Sequence, residues 1–243
     1  GAGCGVPRRW LCVCVWRVGG VVGVGGGSGR VATVVAVLGA AIVVTDFSAV
    51  QLELNRSHVG GTPAEESVEA RELLDVCDTS RYADGEFDVV LAYGGPLSYA
   101  FERTDEALRG LRRITTPDGV VVASVMSTLG TWRHFLAGAV AVASSVGEDA
   151  NDAVLRTGDL RHAGAELVCQ MFRAREVEDL VTRCGGRIVA SSASNWASLS
   201  DPTALRVLAS DPDRWRRFID HEFGACGERD TLDVGTHLLF ADR

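Results

Sequence analysis

The sequence contains no lysine, since all 24 of its basic residues are arginine. A P-loop needs a lysine on the nucleotide phosphates, and pyridoxal enzymes and aldolases need a lysine amine to form a Schiff base. These mechanisms are therefore excluded. The formal net charge is −8, and no basic block or basic amphipathic helix stands out, so binding to nucleic acid is not expected.

Paired cysteines and long apolar runs are also missing. The seven cysteines are odd in number and form no C-x-x-C motif, so we expect neither a disulfide framework nor a metal site. The cysteines are therefore predicted to be reduced thiols, and the protein to be cytoplasmic. The apolar run over residues 31–45 is shorter than the roughly 20 residues of a transmembrane helix. No membrane association and no targeting segment are predicted.

Two parts of the chain differ in pattern. Residues 1–18 are rich in Gly, Val, Cys and Trp without a helical period. We interpret them as an irregular segment, and one hypothesis is that they derive from an incomplete or misassigned upstream reading frame. Residues 19–243 show no repeat and no dividing linker, and are interpreted as a single domain.

Short apolar runs alternate with helical stretches over most of that domain. Strands are predicted at residues 21–24, 41–45, 70–76, 87–93, 120–125, 188–192 and 236–241. Helices of about ten residues separate many of these runs, which is typical of a doubly wound α/β fold with a mostly parallel sheet and helices on both faces. Residues 126–172 break the alternation and are interpreted as an insertion.

The segment GVGGGSGR, residues 23–30, joins the first strand to the first helix. Its glycines at Gly25, Gly27 and Gly29 have the spacing G-x-G-x-G, which is typical of a turn wrapped around a ligand at the carboxyl edge of the sheet. The second strand ends at Asp46, whose carboxylate can accept hydrogen bonds from both hydroxyls of a ribose. Together these features predict a nucleoside-containing ligand without a 2′-phosphate.

Four segments of the sequence resemble motifs of a known family. VVGVGGGSGR, AIVVTDFSAVQLELNR, LLDVCDTS and FDVVLAYGGPLSY resemble successive motifs of the class I, Rossmann-like methyltransferases that use S-adenosylmethionine. The resemblance implies a seven-stranded sheet whose last strand, THLLFA, is antiparallel. It also implies a cofactor site and a substrate lid at about residues 126–172.

The resemblance assigns functional residues one by one. Cofactor binding is implied for the glycine turn, the ends of the second and third strands and the segment after the fourth: Gly25, Gly27, Gly29, Asp46, Phe47, Asp75, Val76, Tyr93 and Gly94. In-line methyl transfer depends on positioning, with a general base where the nucleophile is protonated. The candidates for contact with the acceptor are Tyr93, Tyr99, His134 and His162, and the expected acceptor is a small molecule. The oligomeric state stays open.

Two other functions remain open. A nicotinamide-dependent oxidoreductase would need G-x-G-x-x-G and a Tyr/Lys or Cys/His pair, and the lysine-free sequence argues against it. A catalytically weak or inactive nucleoside-binding domain of the same fold is favoured by Gly23, which stands where the family usually has an acidic residue.

Overall fold

Eight strands and nine helices make up the fold within residues 20–164 and 168–243, which the computed structural model describes. The strands are β1 (Val21–Val24), β2 (Ile42–Asp46), β3 (Val68–Leu73), β4 (Phe87–Ala92), β5 (Thr115–Ser127), β6 (Met171–Phe172), β7 (Ile188–Ala193) and β8 (His237–Asp242). The helices are α1 (Arg30–Val37), α2 (Ala49–Val59), α3 (Thr104–Arg113), α4 (Thr128–His134), α5 (Leu136–Val146), α6 (Glu148–Thr157), α7 (Ala174–Arg183), α8 (Pro202–Ala209) and α9 (Pro212–Cys226). The irregular segment predicted at residues 1–18 lies outside the described residues.

The sheet has the order β3-β2-β1-β4-β5-β8-β7, and β6 pairs with β5 beside this path. The pairs β1–β2, β1–β4, β2–β3, β4–β5 and β5–β6 are parallel. Strands β7 and β8 are antiparallel, because Arg187 and Arg243 exchange both backbone hydrogen bonds and Ser194 donates to the carbonyl of His237. The predicted α/β fold with an antiparallel last strand is confirmed, with β6 as one additional strand of two residues.

Two of the predicted strands, β3 and β5, differ from their predicted bounds by more than one residue. Strand β3 ends at Leu73, because Asp75 turns its side chain back to accept the backbone N–H of Cys77 at 2.9 Å. Strand β5 begins before the Pro117-Asp118-Gly119 turn. That turn appears as an irregularity in the register, where Phe87 pairs with Thr115 and Val89 with Val120.

The described chain forms two compact units. The first comprises the described residues up to Val125, together with Glu178–Ala190 and Phe240–Arg243. Its core is apolar: Val21, Ala32, Val35, Ile42, Val44, Leu52, Val59, Ala64, Val89, Leu91, Val120 and Ala241. The second unit comprises Met126–Val177 and Ser191–Leu239, and it includes a smaller cluster: Val154, Ala163, Cys169 and Met171. A single domain over residues 19–243 stays a prediction.

The cysteines among the described residues, Cys77, Cys169, Cys184 and Cys226, are free thiols. Within the same residues no three His, Cys, Asp or Glu side chains are grouped so that they could hold a metal ion. None of the helices described above is long and apolar enough to cross a membrane.

Candidate functional site

The turn between β1 and α1 has a backbone that glycine accommodates best. Gly25, Gly27 and Gly29 have φ angles of 67°, 51° and 105°, in the left-handed region that L-residues rarely adopt. A Cβ at Gly29 would also lie 2.6 Å from Cγ2 of Val59. The G-x-G-x-G spacing therefore reflects a backbone requirement of this turn.

Asp46, the last residue of β2, fixes the turn through its carboxylate. Its Oδ2 accepts the backbone N–H of Gly27 at 3.0 Å, and its Oδ1 accepts the N–H of Ser48 at 2.9 Å. Ser48 in turn caps α2 by accepting the N–H of Gln51 at 3.4 Å. A carboxylate oxygen has two acceptor positions, so Asp46 keeps capacity for a ligand hydroxyl at each oxygen.

Helix α2 holds the same turn from the other side. Asn55, whose side chain is fully buried, donates through Nδ2 to the carbonyl of Gly27 at 3.4 Å. Its Oδ1 accepts Nε of Arg71 at 2.9 Å, and Arg71 pairs with Glu65. His58 Nδ1 lies 3.0 Å from the carbonyl of Ser28. The turn is thus held in shape by side chains from α2 and β3.

A cavity of about 680 Å³ opens beside this turn, entirely within the first unit. Its size falls within the roughly 300–1,000 Å³ of ligand pockets. It is lined by Val24, Gly25, Asp46, Phe47, Ser48, Gln51, Leu74, Asp75, Val76, Cys77, Gly94, Pro96, Tyr99, Ala100 and Arg103. The described carboxyl ends of β1, β2, β3 and β4 therefore meet at one cavity, as the parallel sheet predicts.

The cavity brings together seven of the residues that the sequence predicts: Gly25, Asp46, Phe47, Asp75, Val76, Gly94 and Tyr99. The side chains of Phe47 and Tyr99 are 79% and 47% exposed, so the cavity offers two accessible aromatic rings. Gly27, Gly29 and Tyr93 are not among its described lining residues; the first two shape the turn, and half-buried Tyr93 directly follows β4.

Several lining residues are not predicted from the sequence, and one of them, Arg103, is the only cation among the described lining residues. Arg103 directly precedes α3 and is 26 residues from Cys77, whose carbonyl it contacts. No local pattern marks such a contact. A sequence signal exists for Gln51, because it is the third residue after Ser48, a residue type that commonly caps helices, and so lies in the first turn of α2 beside the end of β2.

The two predicted histidines belong to the second unit. His134 is the last residue of α4, exposed, and makes an edge-to-face contact with the ring of Phe135 at 4.7 Å. His162 is exposed in the short turn Leu160–Ala163. Their role toward an acceptor stays a prediction.

Part of the chain is similar to a known family. Residues 22–123 match the family model described as a methyltransferase domain. Over this segment the chain is similar to methyltransferase domains. Among curated proteins, none matches the sequence.

Solved structures of methyltransferases share the fold at low identity. An S-adenosylmethionine-dependent methyltransferase from Methanosarcina mazei has a TM-score of 0.63 at 12% identity, with 98% of this chain and 97% of that chain covered. One from Mesorhizobium loti has a TM-score of 0.60 at 15% identity, covering 99% and 100%. The CcbJ methyltransferase from Streptomyces caelestis has 0.59 at 13%, covering 97% and 87%. At such identities these structures show a shared fold alone.

Proposed function

We propose that this protein is a methyltransferase that transfers the methyl group of S-adenosylmethionine to a small organic acceptor, with the cofactor bound in the cavity beside the glycine turn. The observation that carries the proposal is Asp46, a carboxylate fixed by two backbone N–H groups on the wall of the 680 Å³ cavity. A carboxylate with open acceptor positions matches the two hydroxyls of a ribose and repels a 2′-phosphate.

The other lining groups fit the remaining parts of the cofactor. Asp75 and Val76 offer an acceptor and an apolar contact for adenine, and the exposed ring of Phe47 offers a stacking surface. Gly25 lines the cavity and belongs to the same turn as Gly27 and Gly29. These three positions offer the methionine portion a backbone without side chains. Every part of the proposed site except the acceptor pocket is therefore supported by groups of matching chemistry.

Methyl transfer from a sulfonium requires alignment more than acid–base power. The bound cofactor supplies a methyl group that is already activated for displacement. The protein must hold the acceptor in line with it and remove a proton from a hydroxyl, amine or thiol nucleophile. A Cβ built at Gly94 would meet no atom within 4 Å, so there is open space beside the described end of β4. We assign proton removal to Tyr99 in its phenolate form, which becomes the neutral phenol, with Tyr93, His134 and His162 as the other candidates.

The charge of the chain supports a small acceptor. The net charge is −8, and residues 126–172 carry acidic side chains at Glu148, Asp149, Asp152 and Asp159. These carboxylates would repel a nucleic-acid backbone. The segment also contains Trp132 and several apolar residues, which suit an organic acceptor and a role as a substrate lid.

A second candidate function is nucleoside binding without efficient turnover, and Gly23 favours it. A Cβ at Gly23 would lie 3.2 Å from Cδ1 of Ile42, and the carbonyl of Gly23 accepts the hydroxyl of Thr45 at 3.0 Å. Ile42 thus packs against the position where the family usually carries an acidic side chain. A cofactor contact that the family resemblance implies is missing here.

Binding and turnover separate these functions. Titration calorimetry with S-adenosylmethionine, S-adenosylhomocysteine and NAD tests the site. Transfer of a labelled methyl group to a panel of hydroxyl, amine and thiol compounds then tests catalysis. We expect both adenosyl ligands to bind and NAD not to bind. Failure of both adenosyl ligands to bind would overturn the proposal, and binding without transfer across the panel would support the second candidate.

A further inference from the structure

Arg103 is the only cation among the described residues that line the cavity, and four contacts fix its guanidinium. Nε and Nη2 donate to the two carboxylate oxygens of Glu106 at 2.7 and 3.2 Å. Nη2 also donates to the carbonyl of Cys77 at 3.1 Å, and Nη1 lies 3.6 Å from Oδ2 of Asp75. The fork of the guanidinium therefore joins the start of α3 to the loop that follows β3.

The contact with Arg103 also bears on the direction of one carboxylate in the loop after β3, that of Asp75. Oδ1 of Asp75 accepts the backbone N–H of Cys77 at 2.9 Å, which leaves Oδ2 as the oxygen that faces Arg103. Both Asp75 and Arg103 line the cavity, and both side chains are partly exposed. The carboxylate is consequently held at two points, one from its own backbone and one from Arg103.

Exposed ion pairs such as these contribute little to folding stability, because water screens them and the side chains lose rotational freedom. The geometry of Arg103 is nevertheless specific, since a planar fork bound at three acceptors keeps one orientation. Hydrogen bonding with Glu106 also raises the pKa of Arg103, which keeps the guanidinium charged. A residue held this firmly at a ligand cavity, with little to add to stability, points to a role in binding.

We propose that Arg103 is a positioning residue for base recognition: it orients Asp75 so that the carboxylate selects a ligand base with an exocyclic amine. An ionised carboxylate only accepts hydrogen bonds. It pairs with the 6-amino group of adenine and is repelled by the 6-oxo group of hypoxanthine. The inference rests on the proposed cofactor site and adds to it a residue that determines which base is accepted.

The test compares two ligands that differ only at that group, S-adenosylhomocysteine and S-inosylhomocysteine. Calorimetry gives the dissociation constant of each for the wild type, for Arg103→Gln and for Arg109→Gln. Arg109 is the matched control, because it is an exposed arginine on α3, the helix that Arg103 directly precedes. It pairs with Asp105 and is not among the described lining residues. We expect the wild type to prefer the adenosyl ligand. Arg103→Gln should reduce that preference about tenfold, which corresponds to the loss of the hydrogen bond from the ligand amine to the Asp75 carboxylate.

The outcomes separate this inference from the proposed function. An unchanged preference in Arg103→Gln, or an equal reduction in Arg109→Gln, would overturn the role of Arg103 and leave the cofactor site intact. A wild type that binds neither ligand would overturn the proposed function, and this inference with it. Arg103→Lys keeps the charge and loses the fork, so a smaller reduction is expected there. It also serves as the test if the glutamine variant does not fold.

Discussion

The backbone N–H of Gly27 donates a hydrogen bond of 3.0 Å to Oδ2 of Asp46. This bond joins the turn after β1 to the end of β2, across 19 residues of sequence. It shows that the carboxylate proposed to hold the ribose also fixes the shape of the turn proposed to hold the methionine portion. The two halves of the proposed cofactor site are therefore coupled through one side chain.

Replacement of this carboxylate should weaken cofactor binding strongly. Hydrogen bonds to charged groups contribute roughly 1.5–3 kcal/mol each, so we expect Asp46→Ala to reduce affinity for S-adenosylhomocysteine about tenfold or more. Calorimetry measures the effect. Glu53→Ala on the exposed face of α2 is the control, since Glu53 does not line the cavity. An unchanged dissociation constant in Asp46→Ala would rule out the ribose assignment.

The glycine turn allows backbone strain to be separated from steric overlap. Gly29→Ala places an alanine at a φ of 105° and its Cβ only 2.6 Å from Cγ2 of Val59. Gly39→Ala places an alanine at a φ of 77°, but its Cβ has no atom within 4 Å. We expect Gly39→Ala to lower the free energy of unfolding by about 1–2 kcal/mol. Gly29→Ala should lower it further, because Val59 must also move. Equal losses in urea denaturation would show that Val59 yields without cost.

The sequence predicts the parts of the fold and site that depend on neighbouring residues. Valine-rich runs and the glycine turn are local signals, and they are enough to place β1 and β2 within one residue of their observed bounds. Asp46 follows from the same signals, because a parallel sheet brings the carboxyl end of β2 to the cavity.

Features that depend on distant pairing are not predictable in this way. Strand β6 has two residues and exists only because Met171 and Phe172 pair with the end of β5. Arg103 contacts Asp75 and Cys77 only because the fold brings together residues that are distant in the sequence. The buried contact between Asn55 and Arg71 has the same character, since an asparagine in a helix gives no sign of a partner in the following strand.

Acid should weaken the second unit through Glu222 of α9. Its buried carboxylate accepts the backbone N–H groups of Trp196 and Ala197 at 2.8 Å each, and that of Ser198 at 3.1 Å. Burial acts to raise the pKa of Glu222, but the hydrogen bonds from Ser198 and from these backbone groups outweigh it. The pKa is thereby held below its ordinary value of 4.5. A carboxylate with a lowered pKa stabilises the fold above the unfolded value and loses this contribution as the pH falls through the folded value.

Glu222→Gln tests this dependence. At neutral pH we expect the variant to be less stable by roughly 2–4 kcal/mol, since N–H groups lose their charged acceptor. The difference between wild type and variant should shrink as the pH is lowered from above 4.5 to below it. Thermal unfolding followed by tryptophan fluorescence measures both effects, with Asp220→Asn on the same helix as the control. A difference that stays constant with pH would contradict the assignment.

The acceptor side of the proposed reaction is tested by removing one hydroxyl. Tyr99 lines the cavity and is 47% exposed, so Tyr99→Phe keeps the ring and deletes only the phenolic oxygen that, as phenolate, would take a proton. General acid–base catalysis contributes about 10²–10⁴-fold, and we expect kcat for methyl transfer to fall within that range while the affinity for S-adenosylhomocysteine stays unchanged. Tyr82→Phe is the control, because the buried hydroxyl of Tyr82 donates to Glu72 at 2.7 Å and does not line the cavity. If kcat is unaffected in Tyr99→Phe, the same measurement on Tyr93→Phe, His134→Gln and His162→Gln decides which candidate removes the proton. If all four variants keep full activity, positioning alone sustains the transfer.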